Sequence, residues 1–389
     1  MFLSFPDFNI YSTPLLVLVV QGLILIGLLF SRFAKTKMSS DLILGLLLLL
    51  LCYQQICYTI GFMGWYNEFR NTKINYFLIP IALGVAPLIY FYVKSVTSSR
   101  FTFRKRDWWH FVPIFSLVAF RLVIFAYDAS QPGFSETQNG YLKIHADEAI
   151  VQPLLIFVSF AQTLLYLAFT FQLYINYRKK IQQYFSNIYK LELNWIRNFL
   201  VVFSTLFLYG ALQDIISSLI VDLSYTQQWW LNLFMGIVVL YVGIYGYFTE
   251  TTKLKKIGFG FSPEPVDILE AEDRLKTIPE EEIESLKQFM DDEKPFLDPE
   301  LNLSDLSKKV KMSRGQLSAV INNGFKMNFN DFVNSYRVKS FQDKVKAGEH
   351  QKHSLLGIAY DCGFNSKATF NRVFRKLTEQ SPSDYANSI

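Results

Sequence analysis

The sequence predicts an all-α protein in two parts, a bundle of seven apolar helices followed by a polar helical domain with two helix-turn-helix units. Three observations carry this. Apolar residues make up 51% of the 389 and crowd into roughly the first 250, leaving a polar, charged remainder. The apolar part divides into seven runs, each about as long as the ~20 residues a helix needs to cross a hydrocarbon core. The polar part repeats its own helical pattern at a fixed offset.

The seven runs cover 11–30, 41–63, 76–95, 108–127, 150–174, 198–221 and 228–248. The second contains the nearly pure leucine stretch from Leu42 to Leu51. No Lys or Arg precedes the first, and no clear small-residue cleavage site follows it, so it is read as a retained span and not a cleaved leader. Basic residues alternate between the loops. Arg32, Lys35 and Lys37 lie in the first loop, Lys94, Arg100, Arg104, Lys105 and Arg106 in the third, and Arg178, Lys179, Lys180 and Lys190 in the fifth. Lys253, Lys255 and Lys256 follow the last span, whereas the sixth loop has no base and the fourth is acidic. Basic loops stay on the cytoplasmic side. The expected arrangement is therefore a multi-pass protein of the cytoplasmic (inner) membrane, N-terminus outside and C-terminus in the cytoplasm. Trp65, Trp108, Trp109, Trp195, Trp229 and Trp230 fall at the expected lipid–water boundaries.

Two ionisable residues lie inside the runs, Arg121 in the fourth and Asp214 in the sixth. Charge within hydrocarbon is costly and faces the bundle interior or a partner. Both lie about 10 Å from the outer end at the helical rise, so they are candidates to pair. Gln54 and Gln55, with Gln21 and Gln162, fall at similar depths. One reading is a polar pocket open to the outside that takes a small-molecule ligand. The other, which weighs more, is a structural ion pair with interhelical hydrogen bonds. Pro80 and Pro87 are expected to kink the third span.

Residues 1–252 are thus assigned to the membrane part and 253–282 to a linker. Gly258, Gly260, Pro263, Pro265 and Pro279 punctuate the linker. Twelve acids lie between Glu264 and Glu293, against Arg274, Lys276 and Lys287, as in a solvated spacer.

From 283 to 389 the pattern is helical with short breaks. Ile283, Leu286, Phe289 and Met290 share one face of a first helix. Leu303, Leu306 and Val310 fit a second, with Asn302 as its N-cap. After a break at Lys311-Met312, Ser313 to Gln316 has the form of a capping box, and the helix it opens points Leu317, Val320 and Ile321 inward. This layout returns. Ile358, Ala359 and Cys362 match Leu306, Ser307 and Val310 at an offset of 52, and Gly363 takes the turn. Phe370, Val373 and Phe374 match Leu317, Val320 and Ile321 at 53, as Ser381-Pro382-Ser383-Asp384-Tyr385 matches Asn328 to Phe332. One long helix from about Asn330 to Ala347 is expected to join the copies.

The run from Ile358 through Gly363-Phe364 to Lys376, followed by Ser381-Pro382 and Tyr385, resembles the DNA-binding domain of AraC/XylS-type regulators. The resemblance covers about a quarter of the chain. It implies seven helices, two of them recognition helices, and a long connector. Lys326 and Glu379 stand where that family often has glycine after a recognition helix. The apolar part is similar to that of membrane-anchored versions found in Bacteroidetes-type bacteria.

From Asp298 onward there are fourteen Lys/Arg and nine Asp/Glu, the balance of a surface facing phosphates. The outward N-terminal side chains of a recognition helix meet base edges. In the first unit these are Arg314, Gln316 and Ser318, and in the second Lys367, Thr369, Asn371 and Arg372, with Arg375 and Lys376 assigned to phosphate. The expected partners are double-stranded DNA, membrane lipid, a small molecule on the outer side and a second copy of the chain. The expected role is transcription control responsive to an outside or membrane signal. The competing class is a membrane receptor or transporter whose tail binds a protein. No nucleophile elbow, phosphate loop, CxxC or Cys/His cluster is present, so neither an enzyme, a cofactor, a metal site nor a disulfide is expected.

Overall fold

A computed structural model describes residues 5–69, 71–78, 81–98, 101–189, 191–221, 223–249 and 278–389. Among these no strand occurs, and the nearest approach is one antiparallel bridge between Phe185 and Asn302. Contacts divide the chain into two compact units, Met1–Tyr174 with Asn194–Phe261, and Ile175–Leu193 with Ser262–Ile389.

The first unit is built on α1 (Ser12–Thr36), α2 (Ser39–Phe62), α3 (Ala82–Thr97), α4 (Val112–Ala129), α5 (Gln152–Tyr184) as far as Tyr174, α6 (Asn194–Leu219) and α7 (Trp229–Tyr247). With the shorter turns that extend them, six helices among the described residues are long and apolar enough to cross a membrane, and Ala82–Thr97 is a shorter apolar one. The third run thus differs from expectation. Its helix starts at Ala82 rather than near 76, because Ile74–Tyr76 forms a separate tight turn. Pro87 lies inside this helix, and Pro80 lies outside the described residues. The fifth run also differs. Its helix continues through Arg178, Lys179 and Lys180 to Tyr184, since no glycine or proline interrupts it.

Leu15, Val19, Gly22, Ile26 and Leu29 make one buried stripe of α1 at alternating spacings of four and three. That stripe packs on α2 and α7, and α2 packs in turn on α3. A Cβ on Gly22 would stand 2.5 Å from the Cys52 sulfur, so these helices approach as closely as glycine allows. Arg32 closes the end of this packing. Its guanidinium makes two bonds to Asp41, at 2.6 and 2.7 Å, and lies over the Tyr247 ring. Other faces carry bare apolar side chains. Along α5, Leu154, Ile156, Phe157 and Val158 are all exposed, Phe157 by 74%.

The intramembrane pairing expected for Arg121 is corrected. Arg121 meets Asp147 at 3.3 Å and donates to the Leu78 carbonyl, while Asp214 is exposed on α6. Asp147 also binds Lys143, one helical turn before it, and all three side chains are buried. The expectation failed because Asp147 comes from a turn read as a loop, the widened π-turn Lys143–Val151 that leads into α5. Beside it the buried Asp128 accepts from the Leu142 and Lys143 N–H groups, each at 2.9 Å, and from the Tyr76 hydroxyl at 2.8 Å. Gln54 points outward, and Gln55 donates to the Asn232 carbonyl of α7 at 2.6 Å. Arg121, Asp214, Gln54 and Gln55 are therefore not gathered into one site.

The second unit contains seven α-helices among its described C-terminal residues: α8 (Glu280–Glu293), α9 (Leu303–Lys309), α10 (Arg314–Ala319), α11 (Phe329–Lys346), α12 (Leu355–Asp361), α13 (Lys367–Thr378) and α14 (Pro382–Asn387). The acidic stretch read as a linker lies outside the described residues as far as Thr277, and Glu280–Glu282 form the first turn of α8. Two apolar cores follow. Leu286, Met290, Leu306, Leu317, Val320 and Ile321 form the first with Phe329, Phe332 and Val333 of α11. Ile358, Cys362, Phe370 and Phe374 form the second with Val338, Phe341 and Val345 of the same helix. Each half of α11 is thus the floor of one core.

Asp128→Asn places an amide where one carboxylate now accepts three hydrogen bonds, setting donors against donors. A loss of about 2–3 kcal/mol is expected, seen as a lowered melting temperature of the full chain in detergent.

Candidate nucleic-acid interface

The two helix-turn-helix units agree in detail. α9 and α12 begin 52 residues apart, as do their caps: the Asn302 side chain accepts from the Asp305 N–H, and the Ser354 hydroxyl from the Gly357 N–H. α10 and α13 begin 53 apart, capped by Ser313 and Ser366, and α11 and α14 follow at 53, capped by Asn328 and Ser381. The added residue is Asn365, in the turn before the second recognition helix. The turns repeat as well, Lys311 with Gly363 and Lys326 with Glu379, all with a left-handed backbone. Lys326 and Glu379 adopt φ of 57° and 61°, so these turns keep the conformation that glycine would make easy.

Gly363 serves a second purpose. Its φ is 90°, and a Cβ there would stand against the Phe296 carbonyl oxygen and 2.9 Å from that of Leu297. The second unit therefore meets the loop before α9 backbone to backbone. Arg337 of α11 completes this junction. Its guanidinium is 1% exposed and donates to the Phe296 carbonyl at 2.8 Å, the Asp298 carbonyl at 2.7 Å and the Asn334 side chain at 3.2 Å. It also lies over the Phe364 ring and donates to the Ser186 hydroxyl at 3.1 Å. Burial pulls its pKa down to about 10, against the opposing pull of Asp298 and Glu300, so it stays charged at neutral pH. Burial likewise raises the pKa of the Cys362 thiol, which is the mark of a packing residue and not a reactive one.

The residues expected to meet DNA sort into three groups. Arg314, Lys367, Asn371, Arg372, Arg375 and Lys376 are exposed on the two recognition helices. Gln316 and Ser318 are half-buried, and each has an internal partner. The Gln316 amide donates to Glu282 of α8 at 2.8 Å, and the Asn322 amide donates to the Ser318 hydroxyl at 3.2 Å. The capping box is thus corrected to a single cap: Ser313 accepts from the Gln316 N–H, but the Gln316 side chain turns to α8 instead of back to Ser313. Thr369 is corrected too. It is buried, its N–H and hydroxyl both held by Ser366, because the third residue of a capped helix turns toward its own cap. The first recognition helix continues beyond α10 as a π-turn over Val320–Gly324.

Sequence reasoning missed the acidic partners of two exposed bases. Lys376 binds both oxygens of Asp331, at 2.7 and 2.8 Å. Arg372 meets Glu192 at 3.0 Å. Glu192 ends the segment between α5 and α6, and 180 residues separate the two, so no local pattern signals the contact.

Two capped helices, each after a tight turn and sharing one long connector, give the C-terminal part the architecture of an AraC-type helix-turn-helix domain. Residues 306–388 match the family described as helix-turn-helix domain. Regulatory protein SoxS of Escherichia coli (strain K12) is 27% identical over 93 residues, which are 24% of this chain and 84% of SoxS. Uncharacterised HTH-type transcriptional regulators of Staphylococcus aureus strains COL and N315 are each 30% identical over 86 residues, 22% of this chain. The match spans only 11% of the length of those staphylococcal relatives. No solved structure matches the chain.

Gly363→Ala is expected to cost about 2–4 kcal/mol, since both the left-handed backbone and the carbonyl contacts resist a methyl group. Lys326→Gly and Glu379→Gly are expected to go the other way, each gaining up to about 1 kcal/mol as left-handed strain is relieved. Denaturant melts of the full chain, followed by circular dichroism, check both signs.

Proposed function

We propose that this protein is a membrane-embedded, sequence-specific transcription regulator that couples a signal from outside the cell, or in the membrane itself, to DNA binding. The observation that carries the reading is the union, in one chain, of an AraC-type helix-turn-helix domain with six helices of membrane-crossing length and composition. Their bare apolar faces, such as that of α5, would be costly in water and suit a lipid surround. The alternation of basic loops supports a cytoplasmic location for the C-terminal domain.

In this reading Arg314, Lys367, Asn371 and Arg372 read base edges, with Arg and Lys suited to guanine and Asn to adenine. Gln316 and Ser318 contribute once released from their internal partners, and Arg375 and Lys376 hold phosphate. Thr369 acts only through the cap that orients the second recognition helix. A homodimer would join two half-sites and raise affinity through effective concentration. The buried Arg121–Asp147–Lys143 cluster acts as a structural clasp, and any outside ligand would be felt through the helices it ties.

The test is a salt titration of duplex DNA binding by the full chain in lipid nanodiscs. Affinity is expected to fall log-linearly with salt and to favour one sequence from a random pool. Asn371→Ala should weaken the selected site by about 1–3 kcal/mol and relax preference at one position, while Arg375→Ala should weaken all sequences alike and flatten the salt slope by about one. A chain that ignores duplex DNA of every sequence in dilute buffer overturns the proposal.

A further inference from the structure

The segment between α5 and α6 is built into the second unit. Ser186 is fully buried, its N–H and hydroxyl both donating to the Leu301 carbonyl, at 3.2 and 2.6 Å. Its own carbonyl accepts from the Asn330 amide at 2.7 Å, and the Phe185 carbonyl accepts from the same amide at 3.2 Å. Arg337 reaches the Ser186 hydroxyl, and Tyr184 packs on the first apolar core. The segment is thus held by α11, the helix that orients both helix-turn-helix units. Its far end is closed by the buried Tyr177, whose hydroxyl donates to the Leu191 carbonyl at 2.7 Å. There the Glu192 side chain, 5% exposed, meets Arg178 at 3.4 Å and Arg372 at 3.0 Å.

We propose that the segment Phe185–Glu192 is an intramolecular brake, in which the Glu192 carboxylate competes with DNA for Arg372 of the second recognition helix. This rests on the reading that Arg372 contacts DNA. The competition follows from charge and geometry. A guanidinium bound to a carboxylate must give up that partner, or share it, to bind a guanine edge or a phosphate. The carboxylate also sets negative charge against the approaching backbone. A buried carboxylate left alone would be costly, but Arg178 lies within reach and keeps Glu192 neutralised when Arg372 departs. The bridge therefore has two permitted arrangements, with Glu192 engaging both arginines or keeping Arg178 while Arg372 is released. α5 and α6 run directly into and out of the segment, so movement of either helix pulls on Glu192. Three proposed DNA-facing side chains are held by acids: Gln316 by Glu282, Lys376 by Asp331 and Arg372 by Glu192. Of these three acids, Glu192 alone comes from outside the C-terminal helices, in the segment that follows α5.

The test compares wild type with Glu192→Gln, Arg372→Gln and the double variant, as full chains in nanodiscs, binding a labelled 40-base-pair duplex of mixed sequence at low salt. Loss of one charge-assisted bond predicts about tenfold tighter binding for Glu192→Gln and a salt slope steeper by about one. In the Arg372→Gln background the same change is expected to alter affinity less than about twofold. Glu192→Asp, which keeps the charge but shortens the reach, is expected to tighten binding about threefold; simple removal of negative charge would leave this variant at wild-type affinity. Equal tightening with and without Arg372, or no tightening in either Glu192 variant, overturns the brake while duplex binding itself persists. Absence of duplex binding by all variants overturns the DNA-binding reading, and the brake with it.

Discussion

The second unit depends on one buried cation. Arg337 holds its guanidinium out of water and spends its donors on two backbone carbonyls, an asparagine and a serine from distant parts of the chain. Such a group is tolerable inside a protein only when its donors are satisfied. That requirement fixes the loop before α9, the midpoint of α11 and the Ser186 segment against one another. Gly363 then fits because the carbonyl of Phe296, aimed at Arg337, leaves no room for a side chain at the turn. The relative placement of the two helix-turn-helix units follows from that junction more than from either apolar core.

Electrostatics is arranged on the same principle in the first unit. Arg121, Lys143 and Asp147 share a dry site, and Asp128 satisfies two backbone N–H groups and a tyrosine beside it. These are clasps, with polar groups directed inward to one another, and they account for an ionisable residue in an otherwise apolar helix. The C-terminal helices differ: the exposed Lys376 leans on Asp331, and the half-exposed Arg372 on the buried Glu192. The Lys376 pair, open to water, contributes little to stability.

Much of this was legible in the sequence because it is local. The doubled pattern, the caps at Asn302 and Ser313, the left-handed turn at Gly363 and the long connector all follow from spacings of a few residues, and the repeat checks each against its counterpart. The AraC-type resemblance was carried by the same residues. What was not legible is non-local. Asp147 replaced Asp214 as the partner of Arg121 because an acidic loop proved to be a helical turn folded over the end of α4. Gln316 left its expected cap for Glu282, and Thr369 was read as outward when its place in the capped turn draws it inward. Glu192 sat unnoticed among the basic residues of its loop, since an ion pair spanning 180 positions leaves no periodic trace.

The continuity of α5 has a mechanical consequence. Its 33 residues run from an apolar stretch to Tyr184 without proline or glycine after the first turn, a rod of about 50 Å at the helical rise. An uninterrupted hydrogen-bond ladder resists bending, so its last ten residues keep the helical register of the apolar stretch before them, and Arg178, Lys179 and Lys180 are carried on successive positions of one continuous spiral.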